Sequence, residues 1–143
     1  MKFFSQLFLM VAVLLTQSTH AQNKTAFLDC SAKLENGELT LENSKILRTY
    51  QWNDGNIISS SLTDKTSGKV WQMNSKKPDL ALPGESEKAS NAVFTAKVVE
   101  ETAIAPARLE IEIIYSLGKL EVKRVFRLYP NCPAIACDLY FRG

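Results

Sequence analysis

Along most of its length the chain alternates apolar and polar residues with a period of two, and short clusters of Gly, Asn, Asp and Pro interrupt the alternation. This is the half-buried strand pattern, in which successive side chains point to opposite faces of a sheet. The second half shows it best. Leu109, Ile111, Ile113 and Tyr115 alternate with Arg108, Glu110 and Glu112, and Leu117-Gly118 then turns the chain. Leu120, Val122, Phe126 and Leu128 alternate in turn with Glu121, Lys123 and Arg127. Two such runs predict an antiparallel hairpin with one apolar face over a core. Val93 to Val99 reads as a strand before it, with Pro106 in the connection, and Ala134 to Arg142 as a strand after it.

The first half is built from shorter pieces. Ala32 to Asn36 and Glu38 to Glu42 flank Gly37 and predict a hairpin, preceded by a polar lead-in over Gln22 to Thr25. Lys45 to Trp52 is rich in β-branched and aromatic residues, and Asn53-Asp54-Gly55 offers the positive-φ positions of a tight turn. Asn56 to Thr63 is the returning strand, Asp64 to Gly68 a second turn, and Lys69 to Met73 a further strand. Asn74 to Asn91, with Pro78, Pro83 and Gly84, predicts a long surface loop with a short edge strand at Leu80-Ala81-Leu82. No stretch sustains a period of 3.6, and no repeat or heptad is present. The fold class predicted is all-β: an antiparallel β-sandwich.

Two ends of the chain modify this picture. Lys2 followed by the apolar run Phe3 to Leu15 and by Thr19-His20-Ala21 has the form of a signal peptide, 1–21, which leaves 22–143 as one small domain. The apolar run is shorter than the ~20 residues a spanning helix needs, so no membrane association is expected after cleavage, and the location is secreted or periplasmic. At the other end the chain stops at Gly143 directly after a strand-like segment with a large apolar face, which predicts a sandwich incomplete at its C-terminus.

Composition narrows the chemistry. Of the 17 Lys and Arg residues, Lys2 belongs to the leader, leaving 16 against 15 Asp and Glu. So balanced a surface gives no electrostatic case for nucleic acid or an anionic membrane. The sole histidine, His20, lies in the leader. The rest of the chain therefore has no Ser-His-Asp or Cys-His nucleophile and no His-ligated metal, and neither metal nor cofactor is expected. Cys30, Cys132 and Cys137 are an odd set, so one thiol is left over if two pair in an oxidising compartment. Cys137 is in phase with Leu139 and Phe141 and reads as a buried core thiol. Asn23-Lys24-Thr25 matches a glycosylation sequon.

Two segments carry a family resemblance. One is Asn43 to Trp71, NSKILRTYQWNDGNIISSSLTDKTSGKVW; the other is Val125 to Ile135, VFRLYPNCPAI, with Ala105 to Glu110 fitting the same layout between them. The pattern resembles the N-terminal β-sandwich domain of secreted α-galactosidase-like (melibiase-like) glycoside hydrolases, and it covers roughly residues 34–143. The resemblance implies a galactose-mutarotase-like supersandwich, a galactoside-type carbohydrate as partner, and a catalytic barrel that this sequence lacks. In such enzymes a retaining mechanism needs two carboxylates about 5 Å apart at barrel strand ends. No catalytic residue carries over. Glu110, Glu112 and Glu121 fall on polar strand faces beside cations such as Lys123, and the grouping Lys123-Arg124-Arg127-Tyr129 reads as a solvated sheet face.

Aromatic rings remain as the sugar contacts, because the CH-rich face of a sugar stacks on an exposed ring. Trp52 and Trp71 are the carbohydrate-binding candidates, set against the alternative that both rings, like Tyr50, are core. Three functions stay open: a non-catalytic sandwich portion of an α-galactosidase-like hydrolase, inactive alone; a free-standing carbohydrate-binding module; and a structural β-sandwich interaction protein.

Overall fold

The computed structural model describes residues 23–82 and 88–143. The predicted leader 1–21, the side chain of the Asn23 sequon and Pro83-Gly84 of the long loop lie outside the described residues. Ten strands and no helix occur among those residues: β1 (Asn23–Phe27), β2 (Cys30–Glu35), β3 (Glu38–Glu42), β4 (Ile46–Gln51), β5 (Ile58–Asp64), β6 (Lys69–Gln72), β7 (Ala89–Val99), β8 (Arg108–Leu117), β9 (Leu120–Leu128) and β10 (Ile135–Arg142). They form two antiparallel sheets, one ordered β1-β2-β3-β4-β5-β6 and the other β10-β9-β8-β7. The chain is an all-β protein of sandwich type.

Turn chemistry explains the connections. Asn36 and Gly37, at φ 51° and 76°, form the two-residue loop between β2 and β3, where positive φ matches the twist of the flanking strands. Gly55 has φ 89°, and it also sits against the core: a Cβ there would stand 2.8 Å from Tyr115 Cβ. Only glycine fits both demands.

The core is a layer of alternating side chains. Leu109, Ile111, Ile113, Tyr115 and Leu117 of β8 are buried while the residues between them are only half-buried. Cross-strand pairing puts Phe126 and Val122 of β9 beside Ile111 and Tyr115. Cys30, Ala32, Leu39, Leu41 and Tyr50 of the six-stranded sheet complete the cluster. Tyr50 meets Phe126 with ring centroids 5.6 Å apart.

Asn43 ties the sheets together. Its Nδ2 donates to the carbonyls of Tyr129 (2.9 Å) and Cys132 (2.7 Å) in the β9–β10 loop. Its Oδ1 accepts from the amides of Lys45 (2.8 Å) and Ile46 (3.0 Å). A fully buried side-chain amide is tolerated here because all its hydrogen-bonding capacity is used.

Several expectations need correction. The lead-in over Gln22 to Thr25 is largely strand: β1 begins at Asn23 and pairs with β2 through Phe27. Leu80 to Leu82 is not a strand. The Asn56 side chain takes the place of a strand partner, donating to Leu80 O (2.8 Å) and accepting from Leu80 N (3.3 Å). Leu80 and Leu82 still pack on the core.

Arg124 is not on a solvated face. It is 5% exposed and pairs with Ile113 on the core side of the sheet. Cys137 is not a core thiol but is exposed. Its phase is as expected, since it pairs with the buried Phe126, and Leu139 and Phe141 follow it on the same face. What differs is coverage. The sheets overlap through β1, β2, β7 and β8, while Leu139 and Phe141 stay 41% and 50% exposed. The core thiol is Cys30, at 1% exposure.

Candidate functional site

The same lack of coverage opens the other sheet. Leu41 pairs with Arg48, Arg48 with Leu62, and Leu62 with Trp71. Directly paired residues share a face, so Trp71 lies on the core-facing side of its sheet, two strands beyond Arg48, yet is 40% exposed. Around it is a cleft of about 340 Å³ lined by Lys45, Ile46, Leu62, Asp64, Thr66, Trp71 and Pro133. Lys69 Nζ stands 4.7 Å from the Trp71 ring centroid, a cation–π contact.

The turn after β5 fixes the polar rim. Asp64 accepts from the Ser67 hydroxyl (2.6 Å) and the Thr66 amide (2.8 Å). These bonds, Ser67 first, hold its carboxyl below the usual range, so it is an anion at neutral pH. An aromatic platform with an anchored carboxylate, a hydroxyl and an ammonium beside it can stack the apolar face of a small polyol ring and bond its hydroxyls.

Trp52 is placed differently. It is half-buried, packs edge-on against Phe94 with centroids 6.4 Å apart and an interplanar angle of 85°, and its amide donates to Gly37 O (2.8 Å). Trp52 does not line the Trp71 cleft, so the two candidate rings are not brought together. Lys69, Thr66 and Pro133 were missed as neighbours of Trp71. Counting by twos back from Trp71 could have found Lys69; Thr66 belongs to the turn between β5 and β6, and Pro133 comes from the other sheet's loop.

A second depression, of about 400 Å³, lies on the outer face of the four-stranded sheet and includes Glu110, Glu112, Glu121, Lys123, Arg127 and Tyr140. Its carboxylates are matched by cations: Glu110 by Arg108 (3.1 Å) and Arg127 (3.6 Å), Glu112 by Lys123, and Glu121 by Arg142 (3.4 Å). Charges paired this way form a cross-strand surface lattice rather than an acid–base pair. Among the described residues no three His, Cys, Asp or Glu cluster as a metal would require.

Compared with protein-family models, with curated proteins and with solved structures, the chain matches none.

Proposed function

We propose that this chain is a non-catalytic β-sandwich portion of a secreted α-galactosidase-like glycoside hydrolase, and that it contacts a galactoside-type carbohydrate through Trp71. The observation that carries the reading is a convergence. The two segments that bear the resemblance lie far apart in sequence, yet both contribute to one cleft: Asp64, Thr66 and Trp71 from the first, Pro133 from the second. Trp71 supplies the platform, and Asp64 and Lys45 the hydrogen-bonding groups for sugar hydroxyls.

The test is titration of the pure chain with methyl α-galactoside and with a galactose-containing oligosaccharide, read by tryptophan fluorescence. Saturable change in the wild type and none in Trp71→Ala is expected, with no turnover of an aryl α-galactoside. Binding that survives Trp71→Ala but is lost in Trp52→Phe, or any turnover abolished by changing one of the chain's own carboxylates, overturns the proposal. A structural or interaction β-sandwich is the second reading. It is favoured by the exposed Leu139, Tyr140 and Phe141 on the edge strand β10, and it predicts no saccharide binding.

A further inference from the structure

The three cysteines differ sharply in where the fold leaves them. Cys30 opens β2, where the next residue, Ser31, pairs with Glu42. Continued by one residue past the end of β3, that register would set Cys30 against Asn43. Asn43 in turn holds the carbonyl of Cys132 at 2.7 Å. The residues just before each cysteine are also in contact: Asp29 Oδ2 accepts from the Asn131 amide at 2.9 Å. Two independent hydrogen bonds therefore lock the start of β2 and the β9–β10 loop side by side at the level of these two cysteines. Cys137 leaves that neighbourhood. It lies two residues into β10, opposite Phe126, about 7 Å along the strand from Ile135.

We propose that Cys30 and Cys132 form a disulfide that joins the two sheets, leaving Cys137 as the free thiol. The bond would lie beside the Asn43 staple and close the loop 30–132, a crosslink between elements distant in sequence. Burial, then the Asp29 carboxylate and then the Cys132 sulfur push the Cys30 thiol up to about 11. That Cys132 acts on Cys30 at all accords with their proximity. Exposure sets the order of events. Cys132, which is only half-buried, attacks the disulfide of an oxidised thiol carrier such as glutathione and releases one carrier thiol. As the strands dock, the Cys30 sulfur attacks Cys132 in that mixed disulfide and releases the second carrier thiol. Two protein thiols lose two electrons and two protons; the carrier disulfide gains them as two thiols.

The experiment refolds the full chain in a buffer of reduced and oxidised glutathione, alkylates free thiols in acid-quenched denaturant, and maps peptides without reduction. Expected are a linked peptide pair containing Cys30 and Cys132, alkylation at Cys137 only, and an intact mass lower by two hydrogen atoms than the reduced chain. Reduction should lower the thermal midpoint by roughly 8–16 °C. Cys137→Ser, at an exposed position, should keep both the linkage and that sensitivity, and Cys132→Ser should lose both. A Cys132–Cys137 or Cys30–Cys137 peptide, alkylation of all three residues after oxidation, or loss of the linkage in Cys137→Ser overturns the proposal.

Discussion

Replacing Asn43 by alanine removes a buried side chain whose four hydrogen bonds join the β3–β4 connection to the β9–β10 loop. Four bonds go, at 2.9, 2.7, 2.8 and 3.0 Å, leaving the carbonyls of Tyr129 and Cys132 and the amides of Lys45 and Ile46 without those partners. Each such bond is worth about 0.5–1.5 kcal/mol net, and about 1–3 kcal/mol where the abandoned group cannot reach water. Tyr129 and Cys132 are half-buried, so water recovers part of the loss, and a total of about 3–5 kcal/mol is expected. A domain of ordinary stability has only about 5–15 kcal/mol to lose. Urea unfolding followed by tryptophan fluorescence reads this, because Trp52 packs on Phe94 in the folded state. With a slope of about 1–3 kcal/mol/M, the midpoint should fall by on the order of 2 M at unchanged slope. Asn43→Asp adds a second signature. It keeps the acceptor but turns an anion towards two carbonyl oxygens, which raises its folded pKa above the unfolded value. Its stability should then be greatest below the unfolded pKa and fall as pH rises through the folded one. A midpoint shift below about 0.3 M in Asn43→Ala would refute the view that this amide staples the sheets.

Three further outcomes follow from particular contacts. Gly55→Ala should destabilise by about 2–4 kcal/mol in the same urea assay, since it combines a positive φ with an overlap against Tyr115; an effect near zero would mean the turn relaxes freely. Arg124→Met should cost no more than about 1 kcal/mol, because its partner Asp79 is partly exposed and is not left as a fully desolvated charge. Arg124 Nε has no hydrogen-bond partner among the described residues, and Asp79, 3.6 Å from Arg124, keeps its bonds to the Ser59 amide and hydroxyl; a loss of several kcal/mol would show that the buried pair is essential. Hydrogen bonds from Ser44, side chain first and then amide, and from the Asn131 amide lower Asp29 from 3.8 to about 2. A depressed carboxyl contributes stability above its unfolded pKa that is lost as pH falls through the folded one, so Asp29→Asn should flatten the stability profile between 3.8 and about 2. The carboxylate is exposed, so solvent screening keeps that change small.

Strand phase was legible throughout, and it remained right where the burial expected from it did not. Cys137 shares a face with buried Phe126, as its alternation with Leu139 and Phe141 implies. Whether that face is covered depends on how far the opposite sheet extends, which no property of β10 itself encodes. Arg124 shows the converse. Adjacent charges at Lys123 and Arg124 look like surface, but counting by twos from Val122 or Phe126 already sets residue 124 on the core face. Asn56 opens a stretch whose pattern predicts strand, yet its amide side chain is occupied by Leu80. A side chain satisfying another segment's backbone leaves no periodic trace. For the candidate site, Trp71 was visible as an aromatic beside a turn, whereas Pro133 reaches the cleft only through the meeting of the two sheets.

The two uncovered inner faces differ in chemistry, and the difference separates their roles. On β10 the core-facing row is Ile135, Cys137, Leu139 and Phe141, with no charged residue among them; such a row is suited to protein packing. On β4 to β6 the equivalent row carries Arg48 and Asp64 along with Ile46 and Leu62, and ends in Lys69 and Trp71. A second sheet laid over that row would strip water from charged groups and offer few hydrogen bonds in return, a cost of several kcal/mol per unpaired charge. Arg48 already has polar partners, with NH2 donating to the Ser59 hydroxyl at 2.8 Å, and Asp64 is anchored by Ser67. A half-exposed indole amid anchored polar groups is poorly suited to a dry interface. It is well suited to a ligand with one apolar face and a rim of hydroxyls, which is why the carbohydrate reading rests on Trp71 and not on the larger apolar surface of β10.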